Sequence, residues 1–176
     1  MLRPEETPQG VVGITTLAAG AVTRPADTNA YTAGDAVSGS TTAGVCIEIQ
    51  AGRKRGSSGL ITSVQVIDSA NQATKADLEL WLFTAGLATH NDNAAFAPTD
   101  AELTDRVGIV DLGSTPDEGL ATVGAGGNCA YQETNVNIPF RCAEDDRNLY
   151  GALVVRNAYT PVSAETFTVI LGILQD

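Results

Sequence analysis

The chain has 176 residues, enough for one core of ordinary size, and 43% of them are hydrophobic, as in a globular domain. A formal charge of −11 with only ten basic residues argues against a nucleic-acid surface, which needs a Lys/Arg face to displace counterions. It argues equally against an anionic membrane as partner.

Residues 1–9 hold Pro4 and Pro8 and show no periodicity, so they read as an extended arm preceding a single domain over 10–176. No apolar signal core follows Met1, and no run approaches the roughly 18 residues of a membrane span, so synthesis and folding in a cytoplasm are expected. Eighteen glycines among many Thr, Val, Ala and Asn favour short strands and tight turns over helices.

Gly10–Thr16 is the first candidate strand, and Ala21–Arg24 a short one ended by Pro25. The stretch 26–35 is rich in turn formers and should bend across an edge with Tyr31 packed inward; a short strand over Asp35–Val37 follows. Gly44–Gln50 alternates, placing Val45, Ile47 and Ile49 on one face. The glycine-bounded cluster Arg53-Lys54-Arg55 then reads as a hairpin loop, solvated or in contact with an acidic partner subunit. It lacks the GxxxxGK[ST] pattern of a phosphate loop.

Leu60–Asp68 is a long strand, and the polar turn Ser69–Lys75 should fold it as a hairpin onto the next one, Leu78–Phe83. There Leu78, Leu80 and Leu82 share one face, and Glu79, Trp81 and Phe83 the other, as in a central strand covered on both sides. Trp81, the single tryptophan, reads as core. After a loop over 84–98, Thr99 or Asp100 can cap a short helical turn through Leu103. Strands are expected at Arg106–Leu112, within Asn128–Arg141 with Pro139 marking an edge or bulge, at Asn148–Asn157 and at Thr166–Gln175. With about eight to ten strands, minimal helix and no βαβ alternation, the expected fold is all-β, an antiparallel two-sheet sandwich, jelly-roll-like.

The polar residues give no site, so no catalytic, cofactor-binding or metal-ligating residue is expected. His90 lies in Thr89-His90-Asn91-Asp92-Asn93, without a nucleophile elbow or a calcium-loop pattern, and reads as a solvated loop. Glu144-Asp145-Asp146 reads as an acidic turn facing water. Cys46, Cys129 and Cys142 read as buried small hydrophobes; Cys129 and Cys142 could pair only if Asn128–Cys142 folded as a hairpin, in a compartment that disfavours the bond.

Two blocks carry a resemblance. Asp27–Val37 (Asp-Thr-Asn-Ala-Tyr-Thr-Ala-Gly-Asp-Ala-Val) is one; Leu80–Phe83 with Asp92–Leu103 (Asp-Asn-Ala-Ala-Phe-Ala-Pro-Thr-Asp-Ala-Glu-Leu) and Val107–Val110 is the other. Together they resemble a tailed-bacteriophage structural protein, of the head decoration or cement type. The resemblance implies a non-enzymatic virion protein on the capsid surface, with the major capsid protein and itself, as a homotrimer, for partners. The alternatives are a neck or tail-fibre-associated virion protein and a carbohydrate-binding sandwich, which would need exposed aromatics or convergent acids.

Overall fold

In the computed structural model, residues 14–114, 118–119 and 128–175 are described. The strands are β1 (Ile14–Thr23), β2 (Ala36–Val37), β3 (Ile47–Ile49), β4 (Ser58–Asp68), β5 (Leu78–Phe83), β6 (Arg106–Gly113), β7 (Glu118–Gly119), β8 (Cys129–Arg141), β9 (Leu149–Val155) and β10 (Thr166–Gln175). One helical turn, α1 (Asp100–Thr104), precedes β6.

They form two antiparallel sheets. The first has the order β1-β10-β4-β8-β7; the second has β2-β9-β5-β6, with β3 also paired to β9. The chain repeatedly passes from one sheet to the other, and the first strand pairs with the last. That is the jelly-roll arrangement of a β-sandwich.

Period-two burial builds the core. Leu78, Leu80 and Leu82 of β5 are sealed from solvent, as the alternation requires, and meet Val64, Val66, Val169, Leu171 and Ile173 from the opposite sheet. β5 is a central strand, between β9 and β6. Tyr31 is buried as expected, bridged to Tyr159.

Several expectations are corrected. Gly10–Thr16 and Ala21–Arg24 are not two strands: the described part is one unbroken strand, β1, fully paired along β10, and the arm over 1–9 lies outside the described residues. β4 and β5 are not a hairpin. β4 lies between β10 and β8 in the first sheet and β5 lies in the second, so residues 69–77 cross between layers. The basic loop likewise joins β3 of one sheet to β4 of the other and is no hairpin. Val45 precedes β3 and is 71% exposed, while Ile47 and Ile49 are buried.

Asn128–Cys142 does not fold back either. It is occupied by the single strand β8, so Cys129 and Cys142 sit at opposite ends of it, and all three cysteines are free. Within β8, Ser63↔Thr134 and Ile61↔Ile138 leave Asn135, Val136 and Asn137 opposite Thr62. Asn135 (φ 61°) and Asn137 (φ 54°) take the left-handed conformation this bulge needs, which asparagine tolerates better than most residues.

Candidate interaction surfaces

The two sequence blocks that carry the resemblance are brought side by side. Asp35 and Ala95 form a bridge; the Ala36 N–H donates to the Ala94 carbonyl at 2.9 Å, and the Phe96 N–H to that of Gly34 at 2.8 Å. Beneath this seam lies a buried polar cluster. The Asp92 carboxylate accepts from Arg24 Nη2 at 2.9 Å, from the Tyr31 hydroxyl at 2.6 Å and from the Ser38 N–H at 2.9 Å. Arg24 Nε also donates to the Tyr31 oxygen, and its guanidinium lies 4.7 Å from the Tyr31 ring centroid. Burial, then the neighbouring Asp92, pushes the Tyr31 hydroxyl well above its ordinary pKa. Asp92, expected in a solvated loop, is only 3% exposed. Nothing local marks it out, because its partners come from residues 24–38.

The rest of the 84–98 loop folds onto the outer face of β5. Phe96 meets Trp81 edge-on at 5.4 Å and tilts against His90 at 4.8 Å, while the Arg106 guanidinium lies 5.6 Å from the Trp81 ring. The indole N–H donates to Glu79 at 3.1 Å, and Glu79 pairs with Arg156 at 3.0 Å. Trp81 is therefore half-buried beneath this loop and not in the inter-sheet core.

His90 is tucked in as well. Its Nε2 is 3.7 Å from Glu102, the same side chain that completes the α1 cap. Thr99 is the N-cap, accepting from the Glu102 N–H, and Glu102 accepts from the N–H of Thr99 at 2.7 Å and of Ala88 at 2.6 Å. Those two backbone N–H groups hold the Glu102 carboxyl below the usual carboxylate range.

A second buried cluster joins the β4 and β10 ends. Asp68 accepts from the Ala70 N–H at 2.8 Å and lies 3.6 Å from the Cys129 sulfur. Glu165 accepts from the Tyr159 hydroxyl and from the Val162 N–H at 3.1 Å. Burial, then the Glu165 carboxyl hydrogen-bonded to it, pushes Asp68 up to about 8. Burial likewise raises the Cys129 thiol to about 12, so it is a poor thiolate.

Charge is unevenly spread. Arg53, Lys54 and Arg55 are exposed, and Gly56 docks this loop on the acidic turn, its N–H donating to the carbonyls of Ala143 and Asp146. The Gly52 N–H donates to the Arg147 carbonyl at 2.7 Å, and Ser58 pairs with Arg141. Five of the ten cations, Arg53, Lys54, Arg55, Arg141 and Arg147, thus gather at one end of the sandwich. Asp146 is tied into this end, accepting from the Tyr150 hydroxyl at 2.6 Å, which with the Arg147 and Asn148 N–H groups holds its carboxyl low. Glu144, Asp145 and Asp146 lie beside these five cations, and Glu48, paired with Tyr150, is a fourth acid here, so this end is close to neutral on a strongly acidic chain.

Among the described residues, no three His, Cys, Asp or Glu side chains are placed to hold a metal ion, and no helix is long and apolar enough to cross a membrane. No protein-family model and no curated sequence matches the chain. Among solved structures, a chain of the cyanophage Pam1 capsid asymmetric unit aligns with 99% of this chain and 94% of its own length, at 13% identity and a TM-score of 0.36. That likeness is too distant to assign a family or a partner.

Proposed function

We propose that this chain is a non-enzymatic structural protein of a tailed-bacteriophage virion, a decoration protein that attaches to the outer surface of the head as a homo-oligomer, a trimer by the resemblance. The observation that carries the reading is the seam between Asp27–Val37 and Asp92–Leu103. Two blocks far apart in sequence, which together resemble a tailed-bacteriophage structural protein, form one structural unit locked by Arg24, Tyr31 and Asp92. A shared fold alone would not support a function; the resemblance falls on specific residues that depend on one another.

The mechanism follows from surface physics. A rigid sandwich that buries area across joints between capsid subunits opposes their separation under internal pressure. Contacts of roughly 1,600 Å² in total are sufficient for specific binding, and an oligomer engaging several sites gains further through effective concentration. The loop with Arg53, Lys54 and Arg55 exposed suits an acidic patch on the partner.

The test is to add purified chain to expanded heads that lack it and image them by electron microscopy. Saturable density at repeated positions on the head is the expected result. Bare heads, or label confined to neck or tail, would overturn the head placement. Replacing Arg53 and Arg55 with Glu should weaken attachment at least about tenfold at low salt, with a smaller effect at high salt.

A further inference from the structure

The two outer faces of the sandwich differ. The second sheet carries Glu79, Arg106, Asp111 and Arg156 around β5 and is overlaid by the 84–98 loop. On the first sheet, the register of β1, β10, β4 and β8 turns outward Leu17, Ala19 and Ala21, then Ile170 and Leu174, with Ile67 beyond them. The remaining outward positions over Thr23–Leu17, Thr166–Leu174, Leu60–Ile67 and Gln132–Thr134 are Thr, Ser, Gln, Gly and Leu. No ionisable residue stands at these positions, on a chain of net charge −11; Arg141, opposite Ser58, and Glu118, opposite Ala130, stand in rows of the same sheet at its far margin from β1. Leu17, at the margin, is 76% exposed.

The β1 edge adds to this. Its ten residues, Ile-Thr-Thr-Leu-Ala-Ala-Gly-Ala-Val-Thr, contain no charge and no proline, and they pair with β10 without a bulge. Among the described residues, nothing pairs with its other side. Natural edges are normally guarded by charge, proline, a bulge or a cover, and this one has none of the first three.

We propose that the uncharged part of this face, over β1, β10 and β4, with its β1 edge, is where the chain meets a second copy of itself. Two chains of the same strong negative charge repel wherever carboxylates oppose one another, and this face lets them meet without doing so. Over those ranges, at about 3.3 Å per residue along a strand and about 4.8 Å between strands, the face presents roughly 430 Å². A standard interface uses about 800 Å² per partner, so backbone pairing along β1 completes what the face begins. The inference rests on the self-association in the reading above, not on attachment to a head.

The test is the native mass of the full chain by sedimentation velocity at high micromolar concentration, for wild type, Leu17→Glu, Ala19→Glu and Ile109→Glu. Ile109 is exposed on the other sheet and serves as control. Wild type and Ile109→Glu should sediment as the same oligomer. Leu17→Glu and Ala19→Glu should fall to the 18.2 kDa monomer with an unchanged circular-dichroism spectrum. A monomeric wild type, or oligomeric Leu17→Glu and Ala19→Glu, would overturn the proposal. Bare heads alongside an intact oligomer would overturn only the capsid reading; a monomer that coats heads would do the reverse.

Discussion

Arg24 and Asp92 form an ion pair at 2.9 Å with neither side chain reaching solvent, although 68 residues separate them in sequence. The pair joins the end of β1 to the loop that covers β5. Removing a buried partner typically costs about 3–5 kcal/mol, and for Arg24 the longer contact to Asp27, 3.4 Å, offsets part of it. Asp92→Ala should therefore lower the urea midpoint strongly. Asp92→Asn, which keeps an acceptor for Ser38, should cost less. An Asp92→Ala variant within about 1 kcal/mol of wild type would show that the pair does not hold the loop.

The Asp68 carboxyl gives a pH signature whose sign is fixed. Burial and the neighbouring Glu165 push it from the ordinary 3.8 up to about 8, so the folded state holds the extra proton. The associated stability is fully present below about pH 4 and is lost as pH rises towards about 8, by at most about 1.4 kcal/mol per pH unit. Glu165, Tyr159, Cys129, Tyr131, Lys75 and Asp77 are titratable groups that act on this site. Asp68→Asn keeps an acceptor for the Ala70 N–H and should flatten the profile, gaining on wild type at pH 8. Parallel denaturation curves for the two proteins across pH 5–8 would contradict this.

β1 and β3 approach so closely that only glycine fits at position 20. A Cβ there would lie 2.3 Å from the Glu48 carbonyl oxygen and 2.7 Å from Ile47 Cγ2. Gly20→Ala should destabilise by about 1–3 kcal/mol through backbone displacement. Gly86→Ala is the control, since its Cβ would meet only the Tyr150 ring at 3.5 Å, an ordinary contact. Equal melting temperatures for the two variants would refute the close approach.

The α1 cap is a local device with a measurable worth. Thr99→Ala should cost about 1 kcal/mol. Glu102→Ala should cost more, because it also strips the Ala88 N–H and His90 of their partner. The order of the two thermal midpoints checks this.

What could be read from the sequence was what neighbouring residues decide. The period of two in Leu78–Phe83, the inward Tyr31 and the Thr99 cap each depend on a few adjacent positions, and each stands in the structure. Strand partnership depends on distant ones. The polar stretch 69–77 suits a turn within a sheet as well as a crossing between sheets, and only the competing claims of β10 and β8 on β4 select the crossing. Asp92 was hidden for the same reason: a run of Asn and Asp signals a loop, while the arginine and tyrosine that bury it lie beyond any local pattern. The uncharged part of the first sheet's outer face emerges only when separated strands are set in register.

That register has a temporal side. Ile14 pairs with Gln175, so β1 leaves the ribosome on the order of ten seconds before its partner exists. Throughout that interval a ten-residue uncharged segment lacks the strand it pairs with in the fold. Yield of assembled protein should therefore respond more sharply to translation speed and growth temperature than its equilibrium stability would suggest.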